Sequence, residues 1–85
     1  LIIIILFIQY LYNMKKLNKI EIYINGKKKL IDEGLKLSRL IKDLKIPIKK
    51  VAIEINHKII NKKRTDVTYL KKNDKIEVVH FIGGG

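Results

Sequence analysis

An α+β domain, with a mixed sheet packed on one main helix, is the fold class this sequence predicts, and three patterns predict it. Lys19–Asn25 sets Ile20, Ile22 and Ile24 against Glu21, Tyr23 and Asn25. Val51–Asn56 alternates in the same way, and period two is the mark of a half-buried strand. Leu37, Leu40, Ile41 and Leu44 fall at i, i+3, i+4 and i+7, the single apolar stripe of a short helix. A β-branched, apolar run through Lys75–Ile82 (Ile76, Val78, Val79, Phe81, Ile82) reads as a buried last strand.

The elements follow in order. Leu1–Tyr12 is almost wholly apolar, yet it is shorter than the roughly 17–20 residues that a spanning helix needs. No basic segment precedes it and no small-residue cleavage site follows, so it is a poor signal peptide. Residues 1–13 are therefore expected to lie outside the domain, as an over-extended start before Met14, the alternative being a membrane-associating anchor. No membrane partner is expected.

Asn25-Gly26 is a strong hairpin signal, because a type I′ turn needs positive φ at both central residues. Lys27–Ile31 returns as a lysine-rich edge strand, where charge discourages stray pairing. Asp32-Glu33-Gly34 breaks the pattern before the helix. Lys36 is a weak cap for that helix, and Pro47 is expected to stop it by forcing Ile46 out of helical geometry. Asn56-His57 supplies the turn after the third strand, and Ile59-Ile60 is a short apolar step. Asn61–Asp66 reads as polar connecting chain, Val67, Tyr69 and Leu70 as a small return to the core, and Lys71–Asp74 as the turn into the last strand.

A hairpin, a crossing helix and a closing strand make a β-grasp, the ubiquitin-like roll, over residues 14–82. A right-handed crossover lays its last strand parallel to its first. Residues 83–85 are a glycine tail. Glycine packs nothing and weakens a strand, so three of them attached directly to a strongly specified strand read as a narrow thread. Such a thread enters a partner's active site and presents its terminal carboxyl for chemistry.

Composition excludes several other functions. The 85 residues form one small domain without cysteine, so no disulfide, thiolate nucleophile or thiolate metal site is available. The formal charge of +11 points toward polyanions, but only Arg39 and Arg64 are arginines, and the few aromatics are not interleaved with them. No specific nucleic-acid partner is expected. His57 and His80 make no catalytic pair, His80 being read as partly buried beside the tail, and no nucleophile–base set or phosphate loop occurs. No metal site and no bound cofactor are expected.

Strand parity then nominates a docking surface. Ile76, Val78 and His80 fall on one face of the last strand, and Glu77, Val79 and Phe81 on the other. With the first set turned to the helix, Val79 and Phe81 are left on the open face, where exposed apolar groups mark interaction sites. The same parity puts Glu21, Glu54 and Glu77 on that face, on three neighbouring strands, as an acidic stripe that could steer a basic partner surface.

From Met14 onward the chain resembles the ThiS sulfur carriers of thiamine biosynthesis. The resemblance rests on Ile20–Gly26, the Leu-x-x-Leu-Ile of the helix, Val51–Asn56, and above all the ending from Asn73 to Gly85, which includes Ile-Glu-Val-Val-His-Phe-Ile-Gly-Gly-Gly. The family usually has glycine where His57 stands. The resemblance implies a carrier and not an enzyme. A ThiF-type activating enzyme would use ATP to adenylate the Gly85 carboxylate, with Gly83 and Gly84 as the tail. A cysteine desulfurase would supply sulfur to leave a thiocarboxylate, and a thiazole synthase of the ThiG type would take that sulfur into the ring. The expected location is the cytoplasm or an organelle stroma. The alternatives are a MoaD-like carrier of molybdopterin synthesis, whose ending differs from Val79-His80-Phe81, and a ubiquitin-like modifier joined to lysines.

Overall fold

The computed structural model describes residues 1–81, giving the backbone alone for residues 15–17. Helix α1 (Ile2–Leu17) is followed by strands β1 (Lys19–Ile24) and β2 (Lys27–Asp32), then helix α2 (Leu37–Asp43). Strands β3 (Val51–Ile55) and β4 (Lys58–Ile59) form a second hairpin, and β5 (Lys75–His80) closes the sheet. The strand order is β2-β1-β5-β3-β4. β5 lies at the centre, parallel to β1 through Tyr23–Lys75 and Ile24–Ile76, and antiparallel to β3 from Val51–His80 to Ile55–Ile76. This is the expected α+β roll with the expected parallel pairing of first and last strands.

Both hairpins turn alike. Asn25 and Gly26 have φ of +48° and +81°, and Asn56 and His57 have +52° and +71°. His57 thus keeps the turn geometry that glycine adopts freely, in a left-handed region that costs an L-residue energy. Each turn asparagine also grips β5. Asn25 Oδ1 accepts from the Val78 N–H at 2.8 Å, and Asn56 Oδ1 accepts from the Lys75 N–H at 2.9 Å. Asp74, buried just before β5, accepts from Asn56 Nδ2 at 3.0 Å and from the Lys71 N–H at 2.8 Å. The closing strand is held from both sides before it reaches the tail.

The core lies between the sheet and α2. Ile22, Ile31, Val51, Ile53 and Ile76 of the sheet meet Leu37, Leu40 and Ile41 of the helix. Lys36 gives α2 no side-chain cap, as expected, and the Leu37 N–H instead donates to the Thr68 carbonyl at 2.8 Å.

Several local expectations are corrected. Helix α2 ends before Pro47 acts. Lys45 enters the left-handed region (φ +54°), and Ile46 N–H reaches back to the Ile41 carbonyl while Lys45 N–H reaches that of Lys42. That is a Schellman end with lysine where glycine is usual. Most of Asn61–Asp66 belongs to a 3-10 helix, Lys62–Val67, because Asn61 Oδ1 caps the Lys63 N–H at 2.9 Å. Of the three apolar residues that follow, only Leu70 is buried; Val67 and Tyr69 are exposed. Its N–H donates to the Leu35 carbonyl at 2.8 Å, which holds this segment against the start of α2.

Leu1–Met14 is exposed along its whole length on α1. No helix among the described residues is long and apolar enough to cross a membrane.

Candidate functional site

The candidate site is the open face of β5 where it runs toward the glycines. The tail residues Gly83, Gly84 and Gly85 lie outside the described residues, so the site is built here from its root.

Alternation along β5 buries Ile76 and half-buries Val78, while Glu77 and Val79 face away from the helix. Val79 is 49% exposed and Phe81 44% exposed. Both residues are therefore exposed, as parity expects. Phe81 follows the last residue of β5 but stays anchored, its N–H donating to the Lys50 carbonyl at 3.0 Å. Its ring carries a cation, with Lys62 Nζ 5.1 Å from the ring centre. Ala52 lies across from Val79 and Glu54 across from Glu77, and on its other side Glu54 pairs with Ile59, which is also exposed.

The acids are not one stripe. Glu54 and Glu77 are direct cross-strand partners, but Glu21 lies at the level of Asn73, whose N–H donates to the Glu21 carbonyl. Tyr23, two residues further along β1, lies opposite Lys75, two residues before Glu77, so the two acids are offset by about 13 Å at strand spacing. Glu21 is also engaged with Lys28 at 3.8 Å. Neighbouring strands do not make neighbouring residues when the registers differ. Among the described residues, no group of three histidine or acidic side chains could hold a metal ion.

His80 is exposed and not partly buried. It pairs with Val51 at the end of the β3–β5 ladder, yet stays exposed where Val51 is fully buried. Sequence reasoning did not find Ile59, Lys50 or Lys62. Parity could have placed Ile59 once β4 was recognised as a strand. Lys62 approaches Phe81 only through the 3-10 helix, for which the Asn61 cap was the available signal.

The ThiS family model matches residues 11–85, which includes this whole site. The chain belongs to the ThiS family. A crystal structure of the thiamine biosynthesis protein ThiS from Geobacter metallireducens superposes on this ThiS-family chain with a TM-score of 0.69 at 30% identity. It covers 78% of this chain and all of that one. A thiazole synthase of Magnetococcus marinus is 37% identical over 65 residues, 76% of this chain. The uncharacterized protein ycf40 of Porphyra purpurea is 36% identical over 66 residues, 78% of this chain and 93% of its own length. This ThiS-family chain spans only about 20% of the thiazole synthases it matches.

Proposed function

We propose that this chain carries sulfur for thiazole formation in thiamine biosynthesis, as a substrate of other enzymes and not as a catalyst. The observation that carries the proposal is the strand pair of exposed Val79 and Phe81 at the root of the Gly83-Gly84-Gly85 ending, on a β5 gripped from both sides. A rigid apolar patch seats a partner, and a side-chain-free tail delivers the carboxyl.

The chemistry divides into three steps. A Gly85 carboxylate oxygen attacks the α-phosphorus of ATP in a ThiF-type partner, forming the acyl adenylate and releasing pyrophosphate. The outer sulfur of a persulfide originating in a cysteine desulfurase then adds to that carbonyl and expels AMP, and a thiol cleaves the resulting acyl disulfide, leaving the thiocarboxylate and a new disulfide. A thiazole synthase of the ThiG type takes the sulfur. The carboxylate is a poor electrophile until adenylated, so activation and transfer are covalent catalysis shared between proteins. Glycines at 84 and 85 leave the reacting carbonyl unshielded. No cofactor is held by this chain; ATP is bound by the activating partner.

The matched thiazole synthases support this partner, because about a fifth of each resembles this chain. We place residues 1–13 outside the carrier domain, residues 14–82 in the β-grasp and residues 83–85 in the reactive tail. The location proposed is the cytoplasm or an organelle stroma.

Intact-protein mass spectrometry tests the function directly. After incubation with the activating enzyme, ATP and a sulfur source, the chain gains the mass of one oxygen-to-sulfur exchange in its C-terminal peptide. One alanine appended after Gly85 abolishes that gain and leaves the fold unchanged. A wild-type chain that stays unmodified with competent partners, or is recovered joined to lysine side chains, refutes the proposal.

A further inference from the structure

The open face is banded by charge along β5. Nearest the tail, the Lys62 ammonium stands over the Phe81 ring, and the Phe81 N–H is held by the backbone carbonyl of Lys50, a second basic residue at this end of the strip. One step inward is the apolar pair Val79 and Ala52. The next step is the like-charged pair Glu77 and Glu54. Like charges placed directly opposite on a sheet destabilise it. The ion pairs found among the described residues join Lys19 to Asp32, Lys28 to Glu21 and Arg39 to Asp43, so neither band is neutralised by them.

From Phe81 to Glu77 is four residues, about 13 Å along the strand. That exceeds the Debye length of about 8 Å at physiological salt, so a partner senses two separate charges and not their sum.

We infer that this face is an oriented docking strip. It fits a partner surface with acidic groups at the mouth that receives the tail, an apolar seat behind them, and basic groups about 13 Å further on. The inference rests on the proposed sulfur-carrier function, and the partner is the adenylating enzyme. Docked in the useful sense, each band meets its opposite charge. Turned end for end, the strip sets like charges together and points the tail away from the mouth. The bands therefore select the one orientation in which the carboxyl reaches the nucleotide.

Three charge-reversed chains separate this from a general effect of net charge. They are Lys50→Glu with Lys62→Glu, Glu54→Lys with Glu77→Lys, and a control, Lys27→Glu with Lys29→Glu on the β2 edge. The assay is carrier-dependent pyrophosphate exchange at low and physiological salt, with melting midpoints measured alongside. Each band variant is expected to raise KM for the carrier about tenfold with kcat unchanged, an effect of the size set by like-charge contact at an interface. The control stays within twofold, although it changes net charge as much as the first variant. Neutral variants, Lys62→Gln and Glu77→Gln, show smaller shifts in the same direction and avoid any loss of fold from charge reversal. Band variants within twofold of wild type, or a control that loses as much as they do, overturn the strip while leaving the carrier function standing. A wild-type chain that supports no exchange overturns both.

Discussion

Replacing Phe81 by alanine separates docking from folding, because the two effects differ in size and in the quantity that reports them. Burying a phenylalanine fully stabilises a fold by about 1.5–3 kcal/mol. Phe81 is 44% exposed, so just over half of that is at stake, about 1–1.5 kcal/mol. The exposed Lys62 contact adds about 0.5–1 kcal/mol. A domain of this size holds roughly 3–5 kcal/mol in all. The variant therefore keeps at least about 0.5 kcal/mol and remains about 70% folded or more, which by itself raises an apparent KM by less than about 1.5-fold. The docking term is larger: the exposed part of the ring is what a partner covers, and a central aromatic anchor is worth about 2 kcal/mol or more, roughly thirtyfold in affinity. Urea unfolding and the KM for adenylation of the carrier, measured on the same preparation, give both numbers. A KM within threefold of wild type refutes the docking role. A folding loss of about 3–5 kcal/mol, the range of fully buried aromatics, refutes the exposure on which it rests.

His57→Gly should stabilise the domain, since φ of +71° costs an L-residue about 1–2 kcal/mol and glycine gives back only about 0.4–1 of that as unfolded-state entropy. The expected gain is about 0.5–1 kcal/mol, or roughly 3–6 °C in melting midpoint; His57→Ala should show no gain, and equal midpoints for all three chains would remove the backbone explanation. A chain starting at Met14 should melt at the same temperature as the full chain, because Leu1–Met14 is exposed throughout. A midpoint several degrees lower would mean that α1 supports the sheet and that residues 1–13 belong to the domain.

What could be read from the residues was what alternation and turn chemistry decide locally. Strand parity placed Val79 and Phe81 on the open face. Asn25-Gly26 fixed one hairpin with the expected positive φ values, and Asn56-His57 located the second turn, where His57 takes positive φ without the family's glycine. What could not be read depends on where one element ends against another. His80 has the parity of Ile76 and Val78, yet it is exposed while its cross-strand partner Val51 is fully buried, and parity alone does not separate the two. Glu21 shares a face with Glu54 and Glu77, but distance along a parallel pair is set by register, which parity leaves open. Leu70 and Tyr69 are similar apolar candidates, and only the bond from Leu70 to Leu35 decides which one enters the core. Lys45 carried no sign that it would take the left-handed position, because lysine is not a residue chosen for it.

The asparagines of the two hairpin turns tie these strands of argument together. A type I′ turn accepts asparagine for its φ, and that alone accounts for Asn25 and Asn56 in the sequence. In the folded chain each also supplies a side-chain oxygen to β5, at Val78 and at Lys75, where the neighbouring strands have run out or turned. The last of these bonds falls one residue before Val79, so the docking patch begins where the strand is still clamped. Ile82 to Gly85 are four residues, and a fully extended stretch of that length spans about 13–14 Å. A slip of one residue at the patch would displace the carboxyl by about 3.4 Å, enough to take it out of bonding range of a phosphorus atom. A short tail can deliver its carboxyl accurately only from a fixed root. Under the proposed carrier function, the clamp at Val78, the backbone bond at Phe81 and the inferred charged bands beside them act together: they fix the origin and the direction from which a side-chain-free tail reaches.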